Sequence, residues 1–424
     1  MPLEDHALRY QLANELHARP FPALDVPSSV AYLAVKRPEA AVGRDRDADL
    51  AHLRALLDRH GAAHPRPGAT HWSGRIGRHM LKWESHTEFV TYTAVAPGLS
   101  DRAFDPSDFE VFPADWLDGA PGQRITSVLL RVGRRPEDAA ISDRLSDWFV
   151  PESLAAALVL DGAGVIAGDF RIDPAGHLRF AAFLDDTVGG QRTGRLVQRL
   201  CEIETYKSMS MLGFARAGDL APRIGALDAR LTGLIGGMQK DATRPEETLA
   251  DLLEISARLE DMGARSAFRF GATAAYAAIV QERIGMLGEA RFAGRQTFGE
   301  FMTRRYEPAM RTVASTQARL GAMADRAIRA GELLRTRVDV ERSAQNQALL
   351  ASMDRRADAQ LQLQKTVEGL STVAIGYYAV SLMAYMVQPL AKAAGLDKAM
   401  LLALLTPPVV AGVWYLLHRI RRAH

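Results

Sequence analysis

The stretch GLSTVAIGYYAVSLMAYMVQPLA, residues 369–391, runs 23 residues without a charged side chain. A short break containing Lys392, Asp397 and Lys398 follows, and AMLLALLTPPVVAGVWYLL, residues 399–417, supplies 19 more. A hydrocarbon core of ~30 Å is crossed by about 20 apolar residues of helix. Both runs reach that length. They predict two transmembrane helices, 369–391 and 399–417, joined by a tight turn and closed by a basic tail at 418–424. The residues upstream then form a large body tied to one membrane face.

The flanks set the orientation. Lys and Arg collect on the cytoplasmic side of membrane spans. Arg355, Arg356 and Lys365 precede the first span, and Arg419, Arg421 and Arg422 follow the second. Two spans return the chain to the side it left. Both termini are therefore expected in the cytoplasm of a bacterial cell, with the protein in the inner membrane.

The first span continues a polar row that begins far upstream. Alternating steps of four and three give Asn346, Leu350, Met353, Ala357, Gln360, Gln364, Val367, Ser371, Ala374, Tyr378, Ser381, Tyr385 and Gln388. That is one heptad seam through a stalk helix and into the bilayer. Polar groups at membrane depth face protein or water. Ser371, Tyr378, Ser381, Tyr385 and Gln388 are therefore the candidate pore or helix-packing residues. The opposite row, Leu370, Val373, Tyr377, Val380, Ala384 and Val387, suits lipid. Neither span contains Asp, Glu, Lys or Arg, which argues against a transporter with a buried proton relay.

At 424 residues the chain has room for two or three domains. A net charge of +2 gives no global basic field for nucleic acid. The single cysteine, Cys201, excludes an internal disulfide framework and fits a reducing compartment. The N-terminus, MPLEDHALRYQ, has no apolar signal region.

Residues 1–190 read as a cytoplasmic α+β domain. His6 to Arg19 is expected as a short helix, ended by Pro20. Ser29–Lys36 is expected as a strand. Asp45–His60 is expected as a helix whose buried stripe is Leu50, Leu53, Leu56 and Leu57, stopped by Gly61. Strands follow at 71–76, 79–95 and 125–132, with a loop at 98–121. A helix at 136–149 and strands at 154–160, 164–172 and 177–184 complete the domain. Residues 191–368 then read as entirely helical, with helices at 194–216, 220–240, 245–262, 264–290 and from 298 onward.

Three clusters in this body carry chemistry. Glu15, His17 and Arg19 sit at the expected helix end, where they suit either acid–base work on an anion or capping of helix carbonyls. Period two places Lys82, Glu84, His86 and Glu88 on one strand face. There His86 and Glu88 have the spacing of a metal pair, and equally that of a salt-bridged sheet face. Cys201 has no activating neighbour in sequence and reads as a buried small hydrophobe. Nucleophile-elbow, Walker and dinucleotide patterns are absent, so the sequence assigns no catalytic residue and calls for no cofactor.

The stretches NELHARPF (14–21), KWESHTEFVTYT (82–93) and GRLVQRLCEIETYKSMSMLG (194–213), with the terminal spans, resemble a bacterial family of uncharacterised membrane-anchored proteins, domain of unknown function 3422. That resemblance covers essentially the whole chain and carries no activity with it. The architecture is also similar to CorA-type metal-ion transporters: an α/β domain, a helical region, a stalk running into the first span, and a second span with a basic tail. Those are pentamers whose first span lines the pore and ends in Tyr-Gly-Met-Asn. Here Tyr385-Met386-Val387-Gln388-Pro389 stands at that place, without the Gly-Met-Asn signature. The resemblance implies a homo-oligomer conducting an ion, a divalent cation being the candidate. The alternatives are a membrane-tethered scaffold or binding module, and a membrane-bound enzyme working at the His17 or His86 region.

Overall fold

The computed structural model describes residues 3–10, 13, 22–37, 45–240, 245–394 and 397–421. It divides into two compact units, 1–331 and 332–424. Each is taken by itself. The expected boundary near residue 190 falls inside the first unit.

The first unit is α+β. Its sheet is built from β1 (Ser28–Lys36), β2 (His71–Ile76), β3 (His79–Ser85), β4 (Phe89–Pro97), β5 (Gln123–Arg134), β6 (Ala155–Val159), β7 (Gly164–Gly168), β8 (Leu178–Leu184) and β9 (Ala290–Arg291). The strand order is β2-β3-β4-β1-β5-β8-β7-β6-β9. All pairings are antiparallel except β5 with β8. Every residue of β1 is buried, because both faces of the sheet are covered. That is why it reads as a continuous apolar run rather than an alternating one.

One face carries α1 (Arg46–Arg59), α2 (Ala114–Asp118) and α3 (Asp138–Trp148). Leu50, Leu53, Leu56 and Leu57 of α1 meet Leu33, Trp83 and Tyr92 there, as the leucine stripe predicts. The Asp45 carboxylate caps α1 by accepting from the Asp47 and Ala48 amides. Gly61 follows at φ +59°, a conformation that favours glycine. The other face carries α4 (Gly190–Lys240), α5 (Pro245–Gly285) and α6 (Phe298–Arg305). Leu196, Val197, Leu200 and Ile203 of α4 and Val280 of α5 share a core with Val128, Leu130, Phe180 and Ala182. Burying each large apolar side chain contributes about 1.5–3 kcal/mol.

Several expected elements differ from those observed. The strand foreseen over 79–95 is two strands joined by the turn His86-Thr87-Glu88, closed by the His86 N–H donating to the Phe89 carbonyl at 2.9 Å. No glycine or proline announces it. The strand foreseen to Ile172 stops at Gly168, because Asp169 turns inward and accepts from the Val150 and Arg171 amides. The two helices foreseen around residues 217–219 are one helix running through Pro222. Burial of Ala217, Leu220, Ile224 and Leu227 holds it together, outweighing the hydrogen bond that proline removes. The break foreseen near residue 263 is also absent from α5. The region read as wholly helical contributes β9, a two-residue edge strand on β6. The loop expected at 98–121 contains a 3₁₀ turn, Pro106–Phe109, and α2. Most of the helix expected at His6–Arg19 lies outside the described residues.

A long helix, α7, spans Glu307–Ala393, and α8 spans Lys398–Arg421. Both are long and apolar enough to cross a membrane. Pro389, Pro407 and Pro408 sit within helix, which apolar surroundings tolerate when neighbouring groups satisfy the freed carbonyls.

Candidate functional site

Between the sheet and α4–α5, the half of the interface under β3, β4 and β1 is polar where the other half is apolar. Alternation explains which residues arrive there. Leu81 and Trp83 of β3 and Val90, Tyr92 and Ala94 of β4 point into the α1 core. Lys82, Glu84, Thr91 and Thr93 therefore face α4 and α5. Lys82 and Glu84 pair at 3.0 Å, as period two predicts.

α4 answers with Cys201, Glu204, Thr205 and Ser208, which share one face at helical spacing. The Thr205 hydroxyl donates to the Cys201 carbonyl at 2.8 Å. Its proton is thereby used, so the Tyr32 hydroxyl donates to Thr205 Oγ1 across 2.6 Å. Burial pushes the Tyr32 pKa well up, which keeps that proton in place. Glu204 is buried but satisfied by Lys207 Nζ at 2.7 Å, Ser208 Oγ at 2.9 Å and Thr126 Oγ1 at 3.4 Å.

His86 and Glu88 sit in the β3–β4 turn and have separate environments. The His86 ring stacks on Phe89 at 4.4 Å, with Nε2 3.5 Å from Thr91 Oγ1. Glu88 is 1% exposed. It is held by the Arg269 guanidinium and by the Tyr276 hydroxyl, which donates across 2.8 Å. Burial, then Glu88 itself, raises the Tyr276 pKa, so this hydroxyl stays protonated. The Glu88 carboxylate is thus fully engaged by α5. Among the described residues no group of three His, Cys, Asp or Glu is placed to hold a metal.

The cavity at the centre of this layer is about 20 Å³ and touches Tyr32, Glu84, His86, Thr93, Cys201 and Glu202. That is the space of roughly one water, not of a substrate. Burial and Glu202 raise the Cys201 thiol above its ordinary value, so no nucleophilic thiolate forms. Chemically, this layer is a set of interlocked hydrogen bonds fixing two helices to the sheet. Glu15, His17 and Arg19 lie outside the described residues.

A wider cleft opens next to it, at the end of β1. Lys36, Arg37, Arg124, Arg216 and Arg269 line a space of about 420 Å³. Sequence reading missed these residues. They are scattered over more than two hundred positions, and no local motif marks any of them.

In the second unit, the seam residues do not stay together. Ser381, Tyr385 and Gln388 line a groove of about 240 Å³ with Tyr377, Ala384 and Lys398. Tyr378 is exposed and stands beside Tyr377, ring centroids 5.8 Å apart. Ser371 is exposed as well. From the row expected to face lipid, Val380 is buried and Tyr377 and Ala384 line the groove. The face turned to α8 therefore draws on both rows.

The chain belongs to a family described as "Protein of unknown function (DUF3422)", whose profile matches residues 4–424. A comparison with curated proteins gives no match.

Proposed function

We propose that this protein is a membrane-tethered binding module. Its first unit recognises a ligand and its terminal helical hairpin is the anchor. The observation that carries the reading is the surface of the hairpin. Leu370, Val373, Leu382, Leu390, Leu404, Trp414 and Leu416 are all more than half exposed, on two helices of spanning length. Exposed apolar surface on that scale needs lipid or protein around it. Two hydroxyls within the spans bond their own helix: Thr372 donates to the Glu368 carbonyl at 2.8 Å and Thr406 to that of Leu402 at 2.6 Å. The basic flanks support cytoplasmic termini in the bacterial inner membrane.

Alkaline carbonate extraction tests the anchor. The full chain stays with the membrane pellet, and a chain ending at residue 368 moves to the supernatant. Release of the full chain would remove the reading.

A second reading is a homo-oligomer of CorA-like plan that conducts an ion through the seam. Supporting it, the seam positions Leu350, Met353 and Val367 are exposed in the single chain. Three of the five polar seam residues in the span also share one groove. Liposomes containing the protein would then pass cations, and Ser381→Leu would change the flux. Tight liposomes with either protein would leave the tethered module alone.

A further inference from the structure

The end of β1 gathers more positive charge than the carboxylates beside it, Asp219 and Glu88, cancel. Five cationic side chains line the cleft there, and Asp219 is the one carboxylate among its lining residues. Each cation whose contacts can be traced is held in place. Arg37 Nε donates to the Pro121 carbonyl at 2.7 Å, and Lys36 Nζ to that of Arg37 at 2.7 Å. Arg216 Nε donates to Ser266 Oγ at 3.1 Å. These acceptors are uncharged oxygens, so they fix geometry without removing charge. The Arg124 guanidinium lies along Gly176, where a Cβ would stand 3.1 Å from Nη2, on a backbone of φ +92°. Arg269 is pinned by Glu88, itself pinned by Tyr276.

Lys36 is the deepest of the five, at 8% exposure. Burial and then the nearby Arg269 charge hold its pKa below the ordinary lysine value. An amine buried beside a guanidinium is unfavourable, and an anion between them reverses the sign of that interaction.

We infer that this cleft binds a phosphate-bearing anion: a mono- or diphosphate group on a small molecule or on a lipid headgroup. Guanidinium forks match phosphate oxygens in paired hydrogen bonds, and a phosphate brings more than one negative charge to a site with several cations. The volume suits a small ligand. Ile125, Leu212 and Ala215 supply the apolar wall for the remainder of the molecule. The inference rests on reading the first unit as the binding part, and it does not depend on the anchor.

The test uses the full chain in phosphatidylcholine nanodiscs, titrated with inorganic pyrophosphate by calorimetry. The native protein binds, and binding weakens as salt rises. Arg124→Gln with Arg216→Gln weakens it ~10-fold or more, while Arg124→Lys with Arg216→Lys retains part of it. Unchanged tryptophan fluorescence shows that the variants fold, and Arg37→Gln serves as a second variant. Nanodiscs of phosphatidylcholine with phosphatidylglycerol separate the sources. Weaker pyrophosphate binding there identifies a lipid headgroup, and equal binding identifies a soluble phosphate. No pyrophosphate binding by the native chain, or equal binding by the Gln variants, overturns the inference. Carbonate extraction of the same variants keeps the tether reading separately testable.

Discussion

The Tyr32 hydroxyl on β1 donates to Thr205 Oγ1 on α4 across 2.6 Å, between residues 173 apart in sequence. Both residues are buried. The bond crosses from the most central region of the sheet to the helix that covers it. Thr205 also donates to the Cys201 carbonyl of its own helix, so its oxygen is aimed at Tyr32 and, with the Thr126–Glu204 bond, ties α4 to the sheet.

Thr205→Val keeps the shape and removes the acceptor, leaving the Tyr32 hydroxyl orphaned. The expected loss is about 1–3 kcal/mol. Adding Tyr32→Phe recovers part of it, since neither side then carries an unmet polar group. Denaturant titration followed by tryptophan fluorescence reads this directly. Four of the five tryptophans lie between residues 72 and 148, inside the first unit. A double variant as unstable as the sum of the singles would show no coupling between the two residues.

Glu88→Gln leaves Arg269 without its carboxylate and should destabilise the first unit by about 3 kcal/mol or more. Replacing both by leucine, Glu88→Leu with Arg269→Leu, should be milder than the sum of the two single changes. Denaturation midpoints of the four proteins form the cycle that checks it.

Gly213 on α4 meets Thr273 on α5 so closely that any Cβ at Gly213 would overlap the threonine side chain. Gly213→Val should therefore force the helices apart at a cost of about 1–3 kcal/mol. Thr273→Gly in the same chain should recover part of that loss by vacating the space. Equal stability of Gly213→Val and the native protein would contradict the close approach.

Acid should destabilise the first unit beginning near pH 6.5. Burial is the leading cause that lowers the pKa values of His52, His79 and His177, and it takes His79 to about 4. Above pH ~6.5 these rings are neutral whether the chain is folded or unfolded, and they contribute no slope. Between ~6.5 and ~4 the unfolded chain binds protons that the folded one refuses, so stability falls as pH falls. Glu289 works in the opposite sense: burial raises its carboxyl, so its contribution weakens as pH rises. Three rings against one carboxyl leave a net loss in acid. His79→Gln should flatten the pH dependence of the denaturation midpoint across that window, and an unchanged slope would refute the assignment.

Much of the fold was legible because it rests on local patterns. The stripe Leu50, Leu53, Leu56 and Leu57 identified α1 and its buried face. Period two placed Lys82 and Glu84 on one strand face, where they pair. The β3–β4 turn was not legible, since His86-Thr87-Glu88 carries no turn residue and is set by the pairing of the strands on either side. The continuity of α4 was hidden for the converse reason: Pro222 signals a break locally that tertiary packing overrides. At the candidate site, the sequence singled out His86 and Glu88 as the spacing of a metal pair or of a salt-bridged sheet face. Their roles, a stacked ring and an engaged counter-ion, depend on Phe89, Arg269 and Tyr276, and the last two arrive from α5.

The sequence by itself determined what depends on runs and periods: two C-terminal helices long and apolar enough to cross a membrane, an α+β body before them, and family membership across the chain. These are properties of neighbours along the chain, and hydrophobic spacing encodes them directly. Only the tertiary structure decided which charges meet. Lys36, Arg37, Arg124, Arg216 and Arg269 come from two layers of the fold, the sheet and the α4–α5 face, and carry no shared signal. The sheet order that places β1 between β4 and β5 beneath α4 and α5 creates their cleft. Electrostatics acts through space rather than along the chain, so that grouping exists only once the layers have packed.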